Sequence, residues 1–155
     1  MASNVISEDK IYELALDEKK HHEERRDDIN SHYITLFAAI IAVTPFINNM
    51  VEAVPGRYEG LVIRLSLAAL SAIALILAII WQANLKRILF ILESLDKTIL
   101  SLEKKYDIAF KLEIFKELDK KGAPDRITKY QLMIPRMFIV IFSVTIIYSL
   151  SWLLI

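Results

Sequence analysis

Three stretches of this chain carry no Asp, Glu, Lys or Arg: Tyr33–Val51, Leu65–Leu85 and Met137–Ile155. A bilayer core about 30 Å thick is crossed by roughly 20 residues of helix, so each stretch predicts a transmembrane helix. Dense charge separates them. Residues 8–30 predict a polar helix, with Ser7 as its N-cap and Glu8 and Asp9 in the first turn, where the helix dipole favours acids. Ile11, Leu14, Ala15 and Ile29 give that helix only a thin apolar stripe, and the rest predicts a solvated face laced by i,i+4 pairs such as Glu18 with His22 and Asp17 with His21. No breaker precedes the first span, so the polar helix is expected to run into it. Pro45 predicts a kink near Thr44. Asn48 and Asn49 follow, as interfacial residues or as the lining of a pore or subunit contact, and Pro55-Gly56 predicts the turn beyond.

The second span does not end at the membrane. No Pro or Gly occurs from Leu61 to Lys121. Leu85, Ile88, Leu92, Leu95, Ile99, Leu102, Tyr106 and Ala109 are spaced alternately three and four apart, a heptad seam. Read backwards, the seam passes through Trp81, Ala78, Ala74, Ser71, Leu67 and Arg64, and the small residues suit close helix approach in lipid. Ser71, Ala74, Ala78, Leu85, Ile88, Leu92, Leu95, Ile99 and Leu102 are therefore the expected oligomer interface. Leu89, Ile91, Phe110 and Leu112 widen the apolar face, which implies more than one neighbour: the chain's own helix 8–30 or other subunits. Gly122 and Pro124 predict a stop, Asp125–Met133 a short interfacial helix, and Pro135 suits the first turn of the third span.

The composition fits that alternation. The chain has 155 residues, 55% hydrophobic and 25% charged, with zero net charge. There is no Cys, which removes disulfides, thiolate metal sites and a Cys nucleophile. With three Gly there is no Gly-rich phosphate loop. Residues 1–32 are too polar for a cleavable signal. Lys and Arg number five in residues 1–32, two in the 52–64 link and twelve in 86–136. The positive-inside rule then places the N-terminus and 86–136 in the cytoplasm and the C-terminus outside, with Trp81 and Trp152 as interfacial aromatics near opposite faces.

Candidate chemistry is sparse. Glu18 and His22 share a helix face, but no third metal ligand accompanies them, and no cofactor is expected. Arg26 and His32 resemble the arginine–histidine motif of HEPN-type ribonucleases, yet six positions on a helix turn them about 240° apart. Nuclease activity would need a break at Asn30-Ser31. Arg64 either snorkels to the interface or, with Asn48 and Asn49, rings the mouth of a pore. Basic residues of the inner segment are interleaved with acids, so no nucleic-acid surface is expected; Lys104-Lys105 and Lys120-Lys121 suit anionic headgroups. No nucleophile or acid–base constellation suggests an enzyme.

Tyr12, the Arg25-Arg26-x(3)-Asn30 entry to the first span, the Trp81-x-x-Asn84 exit from the second and the Leu92-Glu93 pair resemble the RipA family of small octameric bacterial membrane proteins. The similarity covers roughly residues 10–100, and the third span lies outside it. The resemblance implies a ring-shaped oligomer in the bacterial inner membrane. Related SLATT-type effectors imply a pore former or membrane disruptor in antiphage defence. Arg25, Arg26, Asn30, Trp81, Asn84 and Glu93 become the expected junction at the inner membrane face, with Arg26 pairing with Glu93.

The expected molecule is all-α: a helical integral membrane protein with three transmembrane helices and long cytoplasmic helical extensions. Residues 1–32 form a cytoplasmic amphipathic helix, 33–85 transmembrane helices one and two, 86–136 a cytoplasmic heptad helix and interfacial segment, and 137–155 the third transmembrane helix. Membrane lipids, further copies of the chain and a cytoplasmic protein are the expected partners. The functions weighed are a membrane effector and a non-conducting scaffold.

Overall fold

A computed structural model describes residues 7–51, 56–106 and 130–151. Among these it is helical: α1 (Glu8–Val51), a 3-10 turn (Gly56–Tyr58), α2 (Glu59–Lys105) and α3 (Met133–Ser151). Each α-helix is long and apolar enough to cross a membrane, and the protein is a membrane-embedded helical protein.

The polar helix and the first span are one helix. The Ser7 carbonyl accepts the Ile11 amide at 3.1 Å, closing the first turn at the expected cap. From there α1 is unbroken at Asn30-Ser31 and through Pro45. Thr44 donates its hydroxyl to the Ile40 carbonyl at 3.5 Å, and Thr35 and Thr145 donate to the carbonyls four residues back at 2.9 Å. Hydroxyls in an apolar span need such partners, and the helix supplies them internally. Tyr106 lies in a turn after α2. The rest of the helix expected to 121, with Ala109, Phe110, Leu112, Gly122 and Pro124, lies outside the described residues, as do most of the 125–133 segment, Pro55 and Trp152.

The chain forms two units. The first comprises Met1–Asp28 and Leu85–Tyr130, the second Ile29–Asn84 and Gln131–Ile155. In the second, Phe37, Ala74, Ala78, Trp81 and Pro135 are buried, while Ile73, Ile76, Phe46, Val140, Val144 and Ile147 are more than half exposed. Small residues and the Phe37–Trp81 cluster face in and most large aliphatics face out, as expected of spans that turn their bulk to lipid. In the first unit Leu85, Ile88, Leu92 and Ile99 are buried, as is Ala15 of α1.

Candidate functional site

The first unit joins α1 to α2 through two polar rungs. Tyr12 donates its hydroxyl to Glu103 Oε1 at 3.0 Å, and Lys19 Nζ reaches Asp96 Oδ1 at 2.6 Å. Tyr12 and Lys19 are seven residues apart, and so are Asp96 and Glu103, in the opposite chain direction. Seven residues return a helix to nearly the same face, so both rungs lie on one antiparallel seam. Glu103 is buried. The Lys19 and Asp96 side chains are 19% and 12% exposed. Burial pushes the Tyr12 phenol above its ordinary value of 10.0, and its hydrogen bond to Glu103 and that carboxylate's charge push the same way.

The inward stripe of α1 is thus Tyr12, Ala15, Lys19, His22 and Arg26, again at alternating gaps of three and four. The solvated face expected for this helix is corrected here: the Lys19, His22 and Arg26 side chains keep only 19%, 16% and 14% of their surface exposed. The residue types concealed the stripe, but its spacing was in the sequence. His22 Nε2 lies 3.8 Å from Glu18 Oε2, the expected i,i+4 pair, and its Nδ1 is buried without a hydrogen-bond partner among the described residues. Arg26 donates to Asp27 Oδ1 at 2.9 Å. Both Arg26 and Glu93 are half-buried and neither is without a partner; Arg25 is exposed.

The second unit brings together Asn30, Trp81 and Asn84, and adds Tyr33, which the sequence reading left out. Trp81 Nε1 donates to Asn30 Oδ1 at 3.0 Å, and Asn84 Nδ2 donates to Tyr33 Oη at 3.3 Å. Tyr33 stacks on Trp81 with centroids 5.5 Å apart. Phe37 lies 4.5 Å from Phe138 and 5.6 Å from Phe142, and contacts Trp81 at 5.8 Å. Trp81 is fully buried, which corrects its reading as an interfacial anchor. A buried indole needs an acceptor for its N–H, and the amide of Asn30 supplies it. The two asparagines act as hydrogen-bonding clamps on an aromatic core.

The stripe expected to face other subunits is placed inside the chain. Ser71, Ala74 and Ala78 are buried in the second unit, and Leu85, Ile88, Leu92 and Ile99 in the first. Leu95 and Leu102 are half-buried, and the register slips by one at its end, where Glu103 takes the buried place to meet Tyr12. As placed, these side chains are not open to a second copy. Among the candidate pore residues, Arg64 is half-buried and partnered, and Asn49 is exposed; the side chain of Asn48 lies outside the description. Among the described residues no group of three or more His, Cys, Asp or Glu is placed to hold a metal ion.

Residues 9–151 match the family model described as the octameric membrane protein family (8xMP). No curated protein and no solved structure matches the chain.

Proposed function

The chain belongs to the octameric membrane protein family, and on that premise we propose that it is a homo-oligomeric effector of the bacterial inner membrane. Its activity is to open a pore or disrupt the bilayer, under the control of its cytoplasmic helices, and it carries no enzymatic activity. Eight copies is the assembly size that the family's description suggests. Antiphage defence is the setting implied by the likeness to SLATT-type effectors. The Lys and Arg bias sets the N-terminus and the polar rungs in the cytoplasm and the C-terminus outside.

The observation that carries this reading is the pairing of α1 with α2 by two charged or polar rungs over a buried heptad seam. A purely structural hairpin would be held as well by apolar side chains, since buried ion pairs cost nearly what they return. One ionic rung and one phenol–carboxylate rung instead make a two-state element that a change of charge, ligand or partner can bias. Released from them, α2 offers Leu85, Ile88, Leu92 and Ile99 as a seam for neighbouring copies.

Dye and ion release from liposomes of anionic lipid tests the reading. The purified oligomer is expected to leak slowly, and Lys19→Glu with Tyr12→Phe is expected to raise the rate at least tenfold. A protein that stays folded and inserted but leaks under neither condition is a non-conducting scaffold that recruits a cytoplasmic partner.

A further inference from the structure

One face of α3 joins a single cation to an apolar track. Met133, Arg136, Met137, Val140 and Ile141 line an open groove of about 360 Å³. They recur at gaps of three, one, three and one, so they share one face of the helix. Their exposure is real within the chain: Met137 and Val140 are each 61% exposed, and Arg136 is exposed too. The same face continues through Val144, Ile147 and Tyr148, all exposed.

We propose that this groove binds an anionic phospholipid, with the lipid phosphate on the Arg136 guanidinium and an acyl chain along Met137, Val140 and Ile141. The chemistry selects that occupant. The groove accepts an apolar chain along its length, and its cation sits near the start of α3 (Met133–Ser151), where a membrane-crossing helix meets the headgroups. An anionic amphiphile satisfies both ends at once. Guanidinium favours phosphate because two parallel N–H donors match two phosphate oxygens.

Native mass spectrometry of the full-length protein, titrated in detergent with phosphatidylglycerol or phosphatidylcholine, tests this. Both lipids offer the phosphate, but choline cancels its charge in phosphatidylcholine, so phosphatidylglycerol, a net anion, is expected to be retained at least tenfold more tightly. Arg136→Gln removes the charge that favours the net anion and is expected to lose that preference about tenfold, which is about 1.4 kcal/mol. Arg136→Lys is expected to keep part of it, and Val140→Trp, which fills the groove but keeps the charge, to weaken both lipids. Lys97→Gln, an exposed cation of α2, is expected to change nothing. Equal retention of the two lipids, or an Arg136→Gln protein with unchanged preference, overturns the proposal. So does a change in subunit number on Arg136→Gln with lipid retention intact, which would make the face a subunit contact.

Discussion

Removing the Lys19 ammonium tests whether the rung to Asp96 is a latch or an ordinary surface pair. At 2.6 Å two unit charges attract by roughly 6 kcal/mol at an effective dielectric near 20. Side chains only 19% and 12% exposed have lost most of their hydration, and that offsets much of the attraction. The cost of breaking the pair therefore depends on which partner is stranded. Lys19→Met keeps the aliphatic stem but leaves the Asp96 carboxylate mostly buried beside an apolar group. We expect a loss of about 2–3 kcal/mol, somewhat below the range for a fully buried pair. Asp96→Asn keeps a hydrogen-bond acceptor, and Lys19 still has Glu23 at 3.9 Å. Here we expect about 1 kcal/mol. In a chain of this size each 1 kcal/mol moves Tm by about 2–4 °C, so thermal unfolding followed by circular dichroism in detergent should show drops of about 4–12 °C and 2–4 °C. The double mutant should reveal a coupling of about 1–2 kcal/mol. Because the pair is mostly shielded, raising the salt should preserve most of the difference. Equal, small and additive shifts, with a coupling below about 0.5 kcal/mol, would mean an exposed-type ion pair and would refute the latch.

Three further outcomes follow from named contacts. Tyr12 holds its proton more tightly when folded than its ordinary value of 10.0; its contribution is therefore intact below about pH 10 and lost as pH rises through the higher folded value, so the wild type should lose thermal stability above that pH and Tyr12→Phe should lack this component. Asn30→Ala leaves the fully buried Trp81 N–H without its acceptor and should cost about 1–3 kcal/mol; the penalty should shrink in a Trp81→Phe background, and an undiminished penalty counts against the hydrogen bond. The chain has no Cys, so single thiols report contacts between copies: Ala78→Cys, at a fully buried position, should not form an intermolecular disulfide, and Ile76→Cys, at a position 57% exposed, should be the more reactive of the two toward a membrane-permeant thiol reagent; the reverse order would overturn the assignment of α2's inner face.

The three spans were legible because a run without charge has one physical meaning at that length. The α2 seam was legible because apolar side chains at alternating gaps of three and four mark a buried face whatever covers it. What covers it was not legible. Heptad spacing is satisfied equally by a neighbouring copy or by another helix of the same chain, and only burial within the chain decides. The partner stripe of α1 escaped notice because Lys19, His22 and Arg26 are residue types read as solvated, though they stand at the same spacing as Tyr12 and Ala15. Trp81 misled for a related reason: tryptophan near a span end usually anchors at the headgroups, but here the acceptor its N–H requires sits 51 positions away in sequence, on Asn30.

The burial of the α2 stripe relocates the problem of assembly. Ser71, Ala74 and Ala78 are the residues that let helices approach closely in lipid, and one chain already uses them. If the seam stays closed in the proposed oligomer, copies would meet through outward faces built from Ile, Val and Phe, where the hydrophobic effect gives no net drive because lipid tails are equally apolar. Phe90 stands apart from these faces: it lies beyond the uncharged span, in the first unit, and is 73% exposed. In the proposed cytoplasmic setting a phenyl ring would gain from any apolar cover, which would favour association even while the seam is closed. The seam itself is closed by a partner stripe that is half polar. Polar residues at seam positions weaken a coiled coil while fixing its register, so α1 is a correctly aligned but weaker partner than a second apolar seam would be. On the proposed function, that difference would give the hairpin a direction in which to open and would put the threshold in the charges of Lys19, Asp96 and Glu103.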